Sequence, residues 1–186
     1  MQVATALVIG IPVLAVVGWY SISFLPHLGE IKVIAERGNA AADRVEDSLY
    51  PLAVAGESKE RIRSWAVSRV YSYLVYEKAR GGMLSWHANN FLWIQASRLH
   101  LDDRQVFELW IACAISGCGQ GLEAAAKTYF GRPLKDLSDT ELAALVAAVR
   151  SPSRFSPGSE PGMKRANEIL ERAKTLKATF GAETHQ

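Results

Sequence analysis

The N-terminal segment is the feature that most restricts how this chain can fold. Val3 to Leu25 contains no Asp, Glu, Lys or Arg, and the first such residue in the chain is Glu30. As a helix, a segment of this length reaches roughly 34 Å at ~1.5 Å per residue, which is enough to cross the hydrocarbon core of a bilayer. Trp19 and Tyr20 lie near its end, where aromatic side chains favour the membrane interface.

A cleaved signal peptide is the alternative interpretation of this segment. A signal peptide carries basic residues before a short apolar run. Here no Lys or Arg precedes the run, and the run is longer than a signal peptide needs. We therefore predict an uncleaved transmembrane anchor at residues 3–25.

The charged residues restrict what the rest of the chain binds. Lys and Arg number 21 and Asp and Glu 19, which gives a net charge of +2. Nucleic-acid binding usually needs a clear basic excess, so the composition gives no support for a nucleic-acid partner. An isoelectric point of about 8.6 permits only mild attraction to anionic lipid headgroups.

Helix-ending and helix-capping residues divide the remainder into helical segments, and no run of alternating polarity indicates a strand. We predict an all-α domain at residues 34–181, a linker at 26–33 around Pro26 and Gly29, and a tail at 182–186. The predicted helices are Asn39–Tyr50 (ended by Pro51), a helix capped by Ser58 and ended by Gly81 and Gly82, Leu84–Leu99, a helix opened by Asp102 and Gln105, Leu122–Phe130 (ended by Gly131), a helix opened by Ser138 and Glu141, and a helix from near Pro161 to Gly181.

Cys113 and Cys118 are the cysteines of the chain. Their spacing does not match a zinc site. They can pair in an oxidising compartment, or they can be two small buried residues beside a glycine-rich turn. The sequence leaves both interpretations open.

The segment from Gly121 to Arg165 carries a specific pattern. It contains a Gly-x-Glu-Ala-Ala helix ending in Tyr-Phe-Gly at Gly131, then a Leu-x-x-x-Glu helix around Glu141, then a Pro-x-x-x-x-Pro loop from Pro152 to Pro157. This pattern resembles the C-terminal half of the peptidoglycan glycosyltransferases of family 51. These enzymes are the transglycosylase domains of class A penicillin-binding proteins and their monofunctional relatives.

The resemblance implies a lysozyme-like helical transglycosylase domain behind the transmembrane helix. It also implies a single-pass protein of the bacterial inner membrane whose domain faces the periplasm. The implied partners are the bilayer, lipid II or nascent glycan, and other cell-wall synthesis proteins. No cofactor is expected, although the family's chemistry admits a divalent cation at the departing pyrophosphate.

The resemblance also suggests site residues. The family's first motif, Glu-Asp-x-x-Phe-x-x-His, corresponds to Glu46-Asp47 with Tyr50 as the aromatic residue, but the histidine is replaced by Ala53. Glu46 is therefore the candidate general base, since a positioned carboxylate can accept the proton of an attacking hydroxyl. The alternative is that Glu46 and Asp47 are solvated charges near a helix end.

The other candidates are substrate-binding residues, and we expect no protein metal site. Basic side chains would neutralise the charge that develops on pyrophosphate. A solvated helix face for the arginines and a surface position for the histidine are the alternatives. The substrate-binding candidates are Asp47, Arg63, Arg80, His87 and Glu108.

Two family motifs are reduced in the middle of the chain. The hydroxyl and amide residues expected after Gly81-Gly82 are replaced by Met83 and Leu84, and Asn90 occupies the position of the second catalytic carboxylate. An amide cannot act as an acid or a base. We therefore predict a transglycosylase-like domain of peptidoglycan assembly with weak or no activity. The alternatives are a working polymerase that uses Glu46 as its base with help from Asp47 or Glu108, a glycan hydrolase, and a non-catalytic module that binds glycan or lipid II or acts as a scaffold.

Overall fold

The structure is a computed structural model that describes residues 2–42, 45–77, 82–115 and 117–183. Helices joined by short turns make up most of these residues, and no strand occurs among them. The all-α prediction is confirmed. In chain order the helices are α1 (Gln2–Trp19), α2 (Leu28–Ala42), α3 (Glu46–Gly56), α4 (Lys59–Tyr71), α5 (Met83–His100), α6 (Asp103–Cys113), α7 (Gly121–Phe130), α8 (Asp139–Arg150) and α9 (Glu160–Glu183).

The predicted anchor is the first part of a longer helical run. A π-helical segment, Tyr20–Phe24, and a 3-10 turn, Leu25–His27, connect α1 to α2. The chain break expected around Pro26 and Gly29 is therefore helical, and the helical run continues through residues 26–33. Within the described residues, the run Ile11–Ala42 is the one helix long and apolar enough to cross a membrane.

The prediction of a single helix Asn39–Tyr50 is wrong at both ends, because two helices, α2 and α3, share these residues. Asn39 does not cap a helix but lies inside α2, and Pro51 lies inside α3, which continues to Gly56. A proline inside a helix removes one backbone hydrogen bond. Here Leu52 and Ala53, directly after the proline, are fully or almost fully buried. Their burial in the core offsets the lost hydrogen bond, so the helix does not end.

Most other helix ends agree with the sequence. Ser58 accepts a hydrogen bond from the Arg61 backbone N–H, and Gly131 ends α7 in the left-handed conformation. Complete capping boxes open α6 at Asp102 and α8 at Ser138. These local signals are read correctly because the side chain and the backbone group that it caps lie within three residues. The predicted ending at Gly81 lies outside the described residues.

Helix α6 is the centre of the domain, and α2 and α4 pack against it. Leu109, Trp110 and Ile111 of α6 are fully buried. A Cβ atom added at Gly38 of α2 would lie 1.8 Å from the backbone carbonyl oxygen of Glu108. The close approach of α2 and α6 therefore requires glycine at position 38, and it fixes Glu108 beside α2.

The last two long helices form a packed unit with α3. Helix α8 packs on α9, and both contact α3. Leu145 of α8 and Ala166 of α9 are fully buried. Because α3 begins at Glu46, this unit fixes the position of the candidate base at one end of the helix.

Cys113 and Cys118 form a disulfide. It connects the end of α6 to the glycine-rich turn before α7, and the Gly119 backbone N–H donates a 3.0 Å hydrogen bond to the Ala112 carbonyl. The sequence leaves open whether the two cysteines are paired or free, and in the structure they are paired.

Candidate functional site

Two carboxylates share one guanidinium at the junction of α3 and α6. Glu46 lies in the first turn of α3, and Arg104 and Glu108 lie one turn apart in α6. Arg104 Nε donates a 3.2 Å hydrogen bond to Glu108 Oε1, and Arg104 Nη2 lies 3.4 Å from Glu46 Oε2. The structure therefore brings together Glu46 and Glu108, residues that are far apart in the sequence.

The two carboxylates differ in their surroundings. The Glu46 side chain is 39% exposed and the Glu108 side chain 11%. Burial raises the pKa of the Glu108 carboxyl above its ordinary value, and the Arg104 guanidinium opposes part of that rise. The nearby charge of Glu46 acts in the same direction as burial. Glu46 is thus the accessible member of the pair and Glu108 the enclosed one.

This arrangement permits limited acid–base chemistry. A partly exposed carboxylate can accept a proton from a hydroxyl placed within hydrogen-bond distance. Arg104 is 62% exposed and carries further N–H donors, so the same place can also attract an anionic group. Asp47, the neighbour of Glu46, is exposed and is not part of the ion pairs that Arg104 makes with Glu46 and Glu108.

Arg63 does not lie with this pair. It is 8% exposed, and its guanidinium donates to the Leu101 carbonyl at 3.2 Å and to Asp103 at 3.0 Å. Both expectations for Arg63 in the sequence analysis assumed an accessible side chain. Its buried guanidinium instead holds α4 against the start of α6.

His87 and Arg80 complete the predicted set. His87 is exposed on α5, where its ring contacts the edge of Trp86 at a centroid distance of 4.9 Å. Arg80 lies outside the described residues. Neither residue contributes to the described geometry around Glu46.

Asn90 lies on α5, where the resemblance expects a second catalytic carboxylate. Its Oδ1 atom is buried and has no hydrogen-bond partner. One helical turn further along α5, Trp93 is fully buried, and its ring packs at a tilt against that of Tyr71 at a centroid distance of 5.3 Å. The segment that should supply polar groups to a diphosphate therefore supplies aromatic side chains to the core.

Arg104 is the site residue that the sequence analysis missed. The signal was present, because Arg104 and Glu108 are four residues apart on a helix that the capping box already predicted. The sequence does not show that α3 approaches α6 in the folded chain, and this approach adds Glu46 to the pair.

The described residues do not form a metal site of the usual kind. No group of three or more His, Cys, Asp or Glu side chains in the described part of the chain is placed to hold an ion. The Arg104 guanidinium already pairs with both site carboxylates. These residues do not fit a resident divalent cation.

A transglycosylase family model matches residues 91–177. The matched residues, a little under half of the chain, are similar to that family. The matched segment of this transglycosylase-like chain begins within α5 and covers α6, α7, α8 and most of α9, so it includes Arg104 and Glu108. It begins one residue after Asn90 and leaves out Glu46.

Relatives agree with the family match. Penicillin-binding protein 1A of Pseudomonas aeruginosa is 38% identical over 71 residues, which is 37% of this chain and 9% of that protein. The biosynthetic peptidoglycan transglycosylase of Mesorhizobium japonicum is 34% identical over 74 residues, 39% of this chain and 31% of that protein. That of Rhodospirillum centenum is 44% identical over 55 residues, 29% of this chain and 24% of that protein. The chain thus spans between 9% and 31% of the length of these relatives.

Proposed function

We propose that the chain is a membrane-anchored transglycosylase-like domain of peptidoglycan assembly whose catalytic groups are reduced, so that it polymerises lipid II weakly or not at all. The observation that carries this proposal is the contrast between Glu46, paired with Arg104, and Asn90, an amide at the expected position of the second carboxylate. A single accessible carboxylate can deprotonate an attacking hydroxyl. It cannot also assist the departing pyrophosphate.

The location that we propose is the outer face of the bacterial inner membrane. The helix Ile11–Ala42, which is long enough and over its first part apolar enough to cross a membrane, supports the anchor, and residues such as Leu14, 71% exposed, present apolar surface along that part. The Cys113–Cys118 disulfide supports an oxidising compartment for the domain, since cytosolic thiols are kept reduced. The proposed partners are lipid II or nascent glycan and other cell-wall synthesis proteins.

Glycan polymerisation from lipid II tests the catalytic part of this proposal. The full chain, Glu46→Gln and the Rhodospirillum centenum transglycosylase as positive control would be incubated with labelled lipid II, and strand length read on gels. We expect traces of polymer or none from the full chain. Vigorous polymerisation that disappears in Glu46→Gln would refute reduced catalysis and support a working enzyme.

A non-catalytic binding module is the second candidate, and a groove beside the anchor favours it. The groove has a volume of about 730 Å³ and lies between α2 and the π-helical segment Ser72–Tyr76. Val33, Ile34 and Leu74 give it apolar walls, and the charged residues of its lining are Glu30, Arg37 and Glu77. The apolar walls suit a lipid tail, and Arg37 is the basic residue of this lining that can contact a phosphate. Binding of lipid II by an inactive chain, weakened in Arg37→Gln, would support this role.

A further inference from the structure

A small cavity lies where the end of α3, the start of α4 and the end of α8 meet α6. Its volume is about 170 Å³. A cavity of roughly 150 Å³ holds a benzene molecule, so this one has room for a single amino-acid residue. Glu46 lies at the opposite end of α3, about 16 Å away along the helix at ~1.5 Å per residue, so the cavity is separate from the site around Glu46. The residues that line the cavity are Glu57, Arg61, Trp65, Trp110, Val149 and Arg150.

Three of the lining residues are apolar. Trp110 is fully buried and Val149 is 6% exposed. Trp65 is partly buried, and the Arg69 guanidinium lies over its ring at 4.9 Å from the centroid. Aromatic and aliphatic walls that carry a few charged groups are typical of sites that bind small ligands.

Glu57 is a buried carboxylate that does not use all of its hydrogen-bonding capacity. Its side chain is 7% exposed, Arg61 Nη1 donates a 3.3 Å hydrogen bond to Oε2, and Arg165 Nη2 lies 3.8 Å from Oε1. The longer distance is an ion pair but not a hydrogen bond, and Oε1 has no hydrogen-bond partner among the described residues. An ionised carboxylate only accepts hydrogen bonds. A ligand with an N–H or O–H group would therefore supply the bond that Glu57 lacks.

The guanidinium groups at this cavity outnumber the carboxylate. Arg61 and Arg150 line the cavity, and both are exposed to solvent. Arg165 pairs with Glu57 from α9. The resulting excess of positive charge favours an anionic ligand over a neutral or cationic one. A guanidinium is well suited to bind a carboxylate, because it can donate two parallel hydrogen bonds to it.

We propose that this cavity is a binding site for a peptide residue that carries a free carboxylate. The carboxylate pairs with Arg61 and Arg150, the rest of the residue fills the space beside the two tryptophans, and its backbone N–H donates to the Glu57 carboxylate. A neutral sugar ring would leave the excess positive charge unpaired. A C-terminal carboxylate and the side chain of an acidic residue share the required chemistry. The proposal goes beyond the proposed function and does not depend on it.

Peptide binding to the full chain in detergent micelles tests this site. The probes are dye-labelled Gly-Ser-Gly-Ser-Leu with a free C-terminal carboxylate, the same peptide with a C-terminal amide, and amidated Gly-Ser-Gly-Ser-Asp. Fluorescence anisotropy measures the dissociation constants. We expect the free-acid peptide, the Asp peptide or both to bind roughly tenfold more tightly than the amidated Leu peptide, since only they bring a carboxylate to the guanidinium groups. The tighter of the two identifies the source of the carboxylate.

Substitutions of the lining arginines locate the binding. Arg150→Gln should weaken binding of the carboxylate peptides roughly tenfold, whereas Arg150→Lys, which keeps the charge, should retain part of the affinity. Arg61→Gln repeats the test at the second lining guanidinium, so that the result does not depend on the folding of one variant. Arg172→Gln removes an exposed guanidinium from α9 and is the matched control.

Three results would overturn the proposal. The first is equal affinity for the free-acid and amidated Leu peptides together with no preference for the Asp peptide, which would show that the carboxylate is not recognised. The second is an equal effect of Arg150→Gln and Arg172→Gln, which would reduce the binding to general attraction by a basic surface. The third is the absence of binding by every peptide. None of these readouts involves lipid II, so the proposed function is tested separately.

Discussion

The C-terminal helices α6 to α9 and the N-terminal helices α1 to α5 of this chain differ in their capping and in the burial of their apolar side chains. Helices α6 to α9 have complete capping boxes, fully buried residues such as Leu109 and Leu145, and the family match. Helix α5 instead has exposed apolar residues and the amide Asn90. Packing is thus complete in the helices that the family match covers, whereas an amide and apolar side chains occupy the positions where the resemblance expects polar groups. Recognising a fold therefore does not establish its activity.

The largest expected effect comes from breaking the contact between the two regions at Gly38. Gly38→Val should destabilise the domain by about 4 kcal/mol, because the new Cβ would overlap the Glu108 carbonyl oxygen at 1.8 Å. Gly29→Ala, in the same helix with nothing near its Cβ position, is the control and should be neutral. Thermal unfolding in detergent micelles measures both, and equal melting temperatures would disprove the close packing.

A core truncation in the C-terminal region should come next. Leu145→Ala should cost about 3 kcal/mol, since it leaves a cavity at a fully buried position. Leu99→Ala, at a position 77% exposed, removes the same atoms and should cost little in micelles. Urea unfolding of both variants compares the regions directly. A similar loss in each would contradict the assignment of core and surface.

Arg104→Gln tests the shared ion pair and should cost about 1 kcal/mol at neutral pH, since Arg104 is largely exposed. Without Arg104 the pKa of Glu108 should rise further above its ordinary 4.5. A raised folded-state pKa gives stability that is complete below the unfolded pKa and is lost as the pH rises through the folded pKa. The variant should therefore approach the wild type below pH 4.5, as urea unfolding at several pH values would reveal. A pH-independent difference would exclude this explanation.

An effect as small as that of Arg104→Gln should come from the cap of α8. Ser138→Ala should cost about 1 kcal/mol, and Ser138→Thr, which keeps a hydroxyl, should cost less. The Ser138 backbone N–H and hydroxyl hold the pKa of Glu141 below its ordinary value. A lowered pKa gives stability that is present above the unfolded pKa and is lost as the pH falls through the folded pKa. The advantage of wild type over Ser138→Ala should therefore shrink in acid, measured by urea unfolding at pH 7 and pH 3. An unchanged difference would exclude a contribution from Glu141.

The sequence predicts the helices best where the deciding contacts are local. The caps at Ser58, Asp102 and Ser138 are read from residues three positions apart. Pro51 is misread because buried neighbours keep α3 intact, and these neighbours contact residues distant in sequence. Contacts between residues distant in sequence also explain why the site is only partly predictable from the sequence. Glu46 can be proposed from a motif, but its link to Glu108 through Arg104 depends on the packing of α3 and α6.

The position of Arg63 differs from the one that its helix predicts. Its place in a charge-rich helix favoured an exposed side chain, yet it is buried and paired with Asp103. The start of α6 comes close to α4 only in the folded chain. A charged residue can thus hold two helices together at a position where the sequence pattern favours ligand binding or exposure to water.

The most direct test of the central claim is the polymerisation rate of the full chain relative to Glu46→Gln, on the same lipid II preparation and beside an active transglycosylase. A family fold with reduced catalytic groups predicts a rate far below that of the active enzyme and little further loss in the variant. A rate close to that of the active enzyme, abolished by Glu46→Gln, would contradict it.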